Sequence, residues 1–156
     1  MNLTTLSINN LFLAKTYSRY SPDRTKIGAV ISYGSYQTVG GYNRLPKGLD
    51  RDFIFLDDKN RYIIHAEESA LMKCPEIKTN ENGTIYIWGL APCAHCAALI
   101  ADKGIRDCVA VIAEESKNKE MWKKDADISK KIFLNTGVGF HFYTLKEFEE
   151  GFSNAS

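Results

Sequence analysis

The sequence predicts an α/β fold in which helices cover both faces of a largely parallel sheet. Its 156 residues suit one domain, residues 1–156. The content of 44% hydrophobic and 25% charged residues is that of an ordinary globular protein, which argues against disorder. Helix-like and strand-like segments alternate after an opening hairpin, and this order is typical of right-handed βαβ units.

The first third of the chain is predicted to form a helix and a β-hairpin. Apolar residues fall near one face of a helix over 3–17. The β-branched run 27–33 predicts a strand, and Gly34-Ser35 predicts a tight turn into a second strand over 36–42. Residues 43–60 are predicted to form a loop, and loops of this length in compact domains are often functional.

The rest of the chain alternates between helices and strands. Pro92 is placed to open one of the helices, and Gly104 is placed to end it. A charged stretch, 114–125, precedes the next helix, which ends near 135–137. Strands are predicted at 84–88, 107–112 and 138–143, and helices at 66–74, 92–103 and 145–152.

The composition restricts the partners and the compartment. No apolar run approaches the length needed to cross a bilayer, and residues 1–10 lack the pattern of a signal peptide. A cytoplasmic protein without a membrane partner is therefore expected. The net charge of +1, from 20 Lys plus Arg against 19 Asp plus Glu, disfavours a nucleic-acid partner, because such proteins usually carry a basic surplus.

Two short motifs carry candidate metal ligands: His65-Ala66-Glu67, and Pro92-Cys93-Ala94-His95-Cys96. Zinc takes four tetrahedral ligands, and catalytic sites leave one of these positions to water. Cys93 and Cys96 are three residues apart at a predicted helix start, so both thiols can face one point and the helix dipole favours their thiolates. Together with His65, they predict a zinc site with an open position.

Glu67 is the candidate proton carrier. Two residues beyond His65, its carboxylate can take a proton from zinc-bound water and return it to a leaving amine. The combined pattern H-x-E…P-C-x-x-C is the signature of zinc deaminases. Two alternatives stay open at this point, a structural zinc site and a redox-active Cys-x-x-Cys pair. Cys74 and Cys108 lie in apolar stretches and are predicted to be core thiols.

With these motifs, the sequence resembles the cytidine and deoxycytidylate deaminase superfamily, and above all its deoxycytidylate deaminase branch. The resemblance spans about residues 6–143 and includes the segment 25–31 and Gly41-Tyr42-Asn43 as well as the two zinc motifs. It implies a three-layer α/β/α sandwich with a five-stranded mixed sheet. It also implies a homo-oligomer.

The resemblance implies a reaction as well. A cytosine nucleotide, dCMP, would be hydrolysed to dUMP and ammonia by zinc-hydroxide attack at C4 of the base, with Glu67 as proton shuttle. Asn43 would contact the sugar or base, although a turn residue is an equal interpretation of it. The backbone at Ala66 would accept a hydrogen bond from the amine.

Two departures from the branch leave the substrate open: Arg44 stands where glycine is common, and Ser69 where asparagine is common. Arg44 is the first candidate for a phosphate ligand, and the others are Lys26, Lys47, Lys73 and Arg24, although each could be an ordinary solvated charge. Cytidine, CMP, guanine, a pterin-like base, tRNA adenosine and single-stranded DNA are alternative substrates. A non-catalytic zinc-binding module is the alternative from another functional class.

Overall fold

A computed structural model describes residues 3–114 and 119–155, so residues 115–118 of the charged stretch 114–125 lie outside the described part. Five strands form one sheet in the order β2-β1-β3-β4-β5. Their bounds are β1 Gly28–Tyr33, β2 Gln37–Tyr42, β3 Thr84–Gly89, β4 Asp107–Ile112 and β5 Gly139–Thr144. Five helices accompany them: α1 Thr5–Ser18, α2 Ala66–Lys73, α3 Ala94–Asp102, α4 Lys119–Thr136 and α5 Leu145–Ala155.

The sheet is mixed, as the resemblance implies. β1 pairs antiparallel with both β2 and β3, whereas β3 with β4 and β4 with β5 are parallel. β1 and β2 form the predicted antiparallel hairpin, but the expectation of a largely parallel sheet is wrong at β1–β3, which is also antiparallel. β2 and β3 run in the same direction, as the alternation of strands and helices predicts. They are not neighbours, however, because β1 lies between them and is antiparallel to both.

Side chains of successive strand residues face opposite sides of the sheet, and each side is covered. In β4, Cys108 and Ala110 pack on the side of α2, α3 and α4, where Phe133 is completely buried. Val109 and Val111 pack on the other side, with buried residues of α1 and α5. The result is the expected three-layer sandwich. Cys74 lies in the same cluster as Cys108, which confirms both as core thiols.

Two glycines stand where another residue would clash or be strained. A Cβ at Gly28 would lie 1.9 Å from the carbonyl oxygen of Ala14, so α1 rests directly on the backbone of β1. Gly104 has φ +87° just beyond α3, a conformation that glycine adopts without strain. It ends α3 as the sequence predicts.

The long loop contains two short 3₁₀ helices that were not predicted from the sequence, Arg51–Phe55 and Lys59–Arg61. Short 3₁₀ segments are common connectors, and Asp50 caps the first one by accepting a hydrogen bond from Asp52 N, at 2.9 Å. The second segment ends just before the chain enters α2. Within 3–114 and 119–155, no helix combines the length and apolar character needed to cross a membrane.

Candidate active site

The start of α2 presents His65 and Glu67. His65 is the N-cap residue, and its backbone N–H donates to Glu68 Oε1 at 3.2 Å. Just before it, Ile64 and Arg44 exchange two backbone hydrogen bonds of 2.8 and 3.0 Å. These contacts fix the chain on both sides of His65, so the imidazole is held by a capped helix end.

The start of α3 presents the two cysteines. Cys93 is the N-cap, and its Sγ accepts a hydrogen bond from Cys96 N at 3.4 Å. Pro92, expected to be the first helical residue, instead lies before the cap, and the helix begins at Ala94. A sulfur that accepts from the helix N-terminus displaces the predicted start by two residues, because the cap keeps an extended backbone.

Helix α4 holds this cysteine segment from the other side. Ser129, completely buried, donates from Oγ to the Pro92 carbonyl at 2.7 Å. Asp125 Oδ1 accepts from Ala94 N at 3.3 Å. The two residues share a face of α4, one turn apart. Neither residue was predictable from the sequence, because side-chain hydrogen bonds to backbone leave no sequence motif.

The ligand atoms of the three predicted metal-binding residues lie within 4.8 Å of one another. His65 Nδ1 is 3.6 Å from Cys93 Sγ and 3.4 Å from Cys96 Sγ. A tetrahedral zinc ion with ordinary bond lengths separates nitrogen and sulfur ligands by about 3.6 Å. The cluster therefore fits zinc in both its donor types and its spacing.

The alternatives to an open metal site find no support in the cluster. His95 is exposed, and it is not part of the cluster, which among the described residues has only the three members. A structural site closed by a fourth protein ligand is therefore not formed by the described residues. All four cysteines are free thiols, and both thiols of the Cys-x-x-Cys motif approach the His65 ring. That geometry favours a metal over a redox pair.

Glu67 is 4% exposed and lies beside the cluster. Its Oε2 is 3.7 Å from Cys96 Sγ. Burial raises its pKa to about 7, although the neighbouring His65 opposes the shift. A carboxyl group with that pKa can both accept and donate a proton near neutral pH.

The ligands are electrostatically coupled to one another. Hydrogen bonds, first from the Cys96 thiol and then from His65, lower the pKa of Cys93 to about 4. The hydrogen bond to Cys93 is also the main cause that raises the pKa of His65 to about 9. Zinc needs thiolates and a neutral imidazole, so metal binding displaces the protons that hold this cluster together.

A cavity of about 170 Å³ adjoins the cluster, and we call it the catalytic cavity. Glu67, His65 and Cys93 line it. The remaining lining residues come from the loops and from α4: Asp23, Thr25, Ile27, Asn43, Lys59, Asn60, Ile63, Leu90, Ala91 and Trp122. Lys59 and Asn60 belong to the loop expected to be functional. Trp122 was missed, because its charged surroundings in the sequence are typical of a solvated helix face.

Asn43 lines the catalytic cavity, and its side chain bonds to distant backbone groups rather than within a turn. Its Oδ1 accepts from Ile27 N at 3.0 Å, and its Nδ2 donates to the Thr25 carbonyl at 2.7 Å. An asparagine amide has two N–H groups and two acceptor lone pairs, so one of each is left for a ligand. The side chain therefore shapes the wall and keeps binding capacity.

Arg44 lies in a different cavity. This larger cavity, about 1070 Å³, is lined by Arg44 together with Tyr20, Tyr42, Lys47, Arg51, Ser69 and Lys73, among others. Residues 43 and 44 face opposite ways because side chains alternate along an extended chain. The guanidinium donates from Nε to Ser69 Oγ and from a terminal nitrogen to the Leu45 carbonyl, both at 3.3 Å. The structure does not bring Arg44 to the zinc ligands.

Two further predicted site residues, Ala66 and Lys26, are absent from the lining of the catalytic cavity. Ala66 is completely buried at the first position of α2. Lys26 donates from Nζ to the carbonyl oxygens of Ser21 and Asp23, the latter at 2.9 Å. Its ammonium group is thereby committed to the loop that precedes β1.

Comparisons with known proteins agree with this site. The chain is 28% identical to the human deoxycytidylate deaminase over 137 residues, 82% of this chain and 73% of that protein. The mouse deoxycytidylate deaminase is 28% identical over 131 residues, 78% of this chain and 70% of that one. A crystal structure of the dCMP deaminase of cyanophage S-TIM5, in complex with dCMP and dUMP, shares the fold. It superposes with a TM-score of 0.65 at 19% identity and covers 88% of this chain and 96% of that one.

A match to a protein-family model covers the segment that carries the site. Residues 6–112, more than half of the chain, match the family described as the cytidine and deoxycytidylate deaminase zinc-binding region. The matched segment contains the capped His65, the buried Glu67 and both cysteines. This protein therefore belongs to the cytidine and deoxycytidylate deaminase family, with His65, Cys93 and Cys96 as its zinc site.

Proposed function

We propose that this protein hydrolyses the exocyclic amine of a cytosine nucleotide, dCMP in the first place, to give dUMP and ammonia. The observation that carries the proposal is the buried carboxyl group of Glu67 beside three ligands of one metal, inside a cavity. A structural zinc site has no need of such a carboxyl group. The named deoxycytidylate deaminases among the relatives support dCMP as the substrate.

Bound zinc would act as a Lewis acid that lowers the pKa of water. Glu67 takes one proton from the attacking water and places it on N3 of the base. It then carries the second water proton to the amine. A C–O bond forms and the C–N bond breaks at C4, so ammonia leaves and the base keeps the proton on N3.

Other groups of the cavity orient the base. Asn43 has a free N–H and a free lone pair for the sugar or base. The backbone at Ala66, at the first turn of α2, would accept a hydrogen bond from the amine. Trp122 and Ile63 provide an apolar wall, which excludes bulk water.

The test is ammonia release, together with the change in ultraviolet absorbance, across a panel of bases, nucleosides and nucleotides. In Glu67→Gln, turnover of dCMP should fall by about 10²- to 10⁴-fold, the range of general acid–base catalysis, while one zinc per chain is retained. Glu76→Gln changes an exposed carboxyl group and should leave turnover unaffected. Normal turnover in Glu67→Gln would refute the mechanism.

The panel also separates the alternatives. Release of ammonia from guanine or from tRNA adenosine, but not from dCMP, would replace the substrate and keep the chemistry. Zinc binding without turnover of any compound would favour a non-catalytic module. The homo-oligomer implied by the resemblance stays a prediction, for sedimentation to test.

A further inference from the structure

The catalytic cavity is too small for a whole nucleotide. Pockets that enclose a drug-sized ligand usually have about 300–1,000 Å³. The cavity beside His65 and Glu67 has about 170 Å³. It has room for the base, so the phosphate of a nucleotide must lie at its entrance. A group that recognises the phosphate should be sought at the rim.

Lys59 is the one lysine or arginine among the described residues that line this cavity. It begins the second 3₁₀ segment of the long loop, six residues before His65. Its side chain is 26% exposed. It therefore lies at the boundary between cavity and solvent, where a phosphate would arrive.

The other candidate cations are less well placed. The Lys26 ammonium group donates to two backbone carbonyls, and Arg24 is exposed outside the cavity lining. Arg44, Lys47 and Lys73 line the larger cavity. None of the residues that the sequence suggested as phosphate ligands lines the cavity that contains Glu67.

Lys59 is held in position by a buried partner. Its Nζ lies 2.9 Å from Oδ1 of Asp23, whose side chain is 7% exposed. The same Asp23 oxygen accepts from Thr25 N at 3.1 Å, which fixes the carboxylate to the loop. An ammonium group has three N–H donors, so two remain available. The ion pair orients the lysine without using up its capacity.

We propose that Lys59 is a specificity-determining residue that binds the 5′-phosphate of the substrate at the entrance of the catalytic cavity. This inference rests on the proposed function. A phosphate monoester carries close to two negative charges near neutral pH, so it gains both charge attraction and hydrogen bonds from Lys59. A nucleoside has no such group and gains neither. The enzyme should therefore prefer nucleotides, and the preference should depend on this residue.

The experiment compares kcat/KM for dCMP and deoxycytidine in the zinc-loaded protein. In Lys59→Met, kcat/KM for dCMP should fall by about 10- to 100-fold, the usual range for a hydrogen bond to a charged group, while that for deoxycytidine changes by less than about twofold. Lys59→Arg should recover most of the preference and serves as the second variant if Lys59→Met folds poorly. Raising the salt concentration should reduce the preference of the wild type.

Arg61→Met is the matched control, because Arg61 belongs to the same 3₁₀ segment but is absent from the lining of the cavity. It should leave the preference unchanged. An equal loss for both substrates in Lys59→Met would reveal a purely structural role through Asp23 and overturn the inference. An unchanged preference, or one that is lost in Arg44→Met instead, would also overturn it. A wild type that releases no ammonia from dCMP would instead refute the proposed function.

Discussion

The two cavities on either side of the segment 42–45 differ in size, charge and chemistry. The larger one has about 1070 Å³ and is lined by four cations, Arg44, Lys47, Arg51 and Lys73, with Asp52 as an acidic neighbour. The catalytic cavity has about 170 Å³ and a single lysine. Volume and positive charge alone would select the larger cavity as a nucleotide site. Two of the metal ligands, His65 and Cys93, and the buried carboxyl group of Glu67 nevertheless line the smaller one.

The difference follows from how backbone geometry distributes side chains. Asn43 and Arg44 are neighbours in an extended segment, so one faces the zinc ligands and the other faces away. Ligand atoms also need separations within a few tenths of an ångström, which two capped helix ends provide. A reactive site is therefore located by the spacing of its atoms, and a large basic cavity is weak evidence for one.

Loss of a zinc ligand should have the largest effect, because it should reduce both zinc content and turnover. In Cys96→Ala, two protein ligands remain, so zinc content should fall to about a tenth of the wild-type value or less, and turnover should fall with it. Metal analysis after dialysis checks the first expectation, and ammonia release checks the second. Cys74→Ala, which removes a buried thiol outside the cluster, should keep its zinc. Full zinc content in Cys96→Ala would show that the cluster is not the metal site.

Loss of the hydrogen bond that holds the cysteine segment against α4 should have an intermediate effect on zinc affinity. Ser129→Ala removes the hydrogen bond to the Pro92 carbonyl. Outer partners of this kind typically change metal affinity by about 10- to 100-fold, and we expect zinc to be lost faster to a chelator by a similar factor. Thr136→Ala removes a comparable hydroxyl from the same helix, where it bonds only to backbone of α4. Equal chelator rates in the two variants would exclude a positioning role for Ser129.

Changes in the larger cavity should have the smallest effect. In Arg51→Met, we expect kcat/KM for dCMP to stay within about twofold of the wild type, because an exposed cation in another cavity makes no contact with the reacting groups. Steady-state kinetics at two salt concentrations measure this. A tenfold loss would show that the larger cavity takes part in catalysis, and the contrast between the two cavities would then fail.

Most of the fold follows from local patterns in the sequence. β4 begins and ends at the predicted residues, and Gly104 ends α3 as expected. The position of β1 between β2 and β3 could not be predicted by the same means, because strand order depends on pairing between distant segments. The hairpin shows a smaller error of this kind. Tyr36 was assigned to β2, but it has φ +68° in the turn, and the strand begins one residue later.

The zinc ligands and Glu67 were predictable because metal coordination requires particular residue types at fixed spacing. The rest of the site was not. Trp122 reaches the cavity from α4, far from His65 in the sequence, and Lys59 lies close to His65 but forms no motif with the ligands. Arg44 was favoured because it replaces a glycine in the right loop. Which side of that loop it faces depends on the bridge to Ile64, and this bridge is a tertiary contact.

The dual use of Cys93 ties zinc to the local stability of the chain. One sulfur atom both receives the Cys96 amide at the end of α3 and belongs to the metal cluster. Without zinc, this sulfur is held only by hydrogen bonds, and oxidation would make it a poorer acceptor, so the first turn of α3 would unwind more often and its amide hydrogens would exchange with solvent faster. Depletion of zinc in a cell would thus give a protein that lacks its catalytic metal and is also more susceptible to proteolysis at the start of α3.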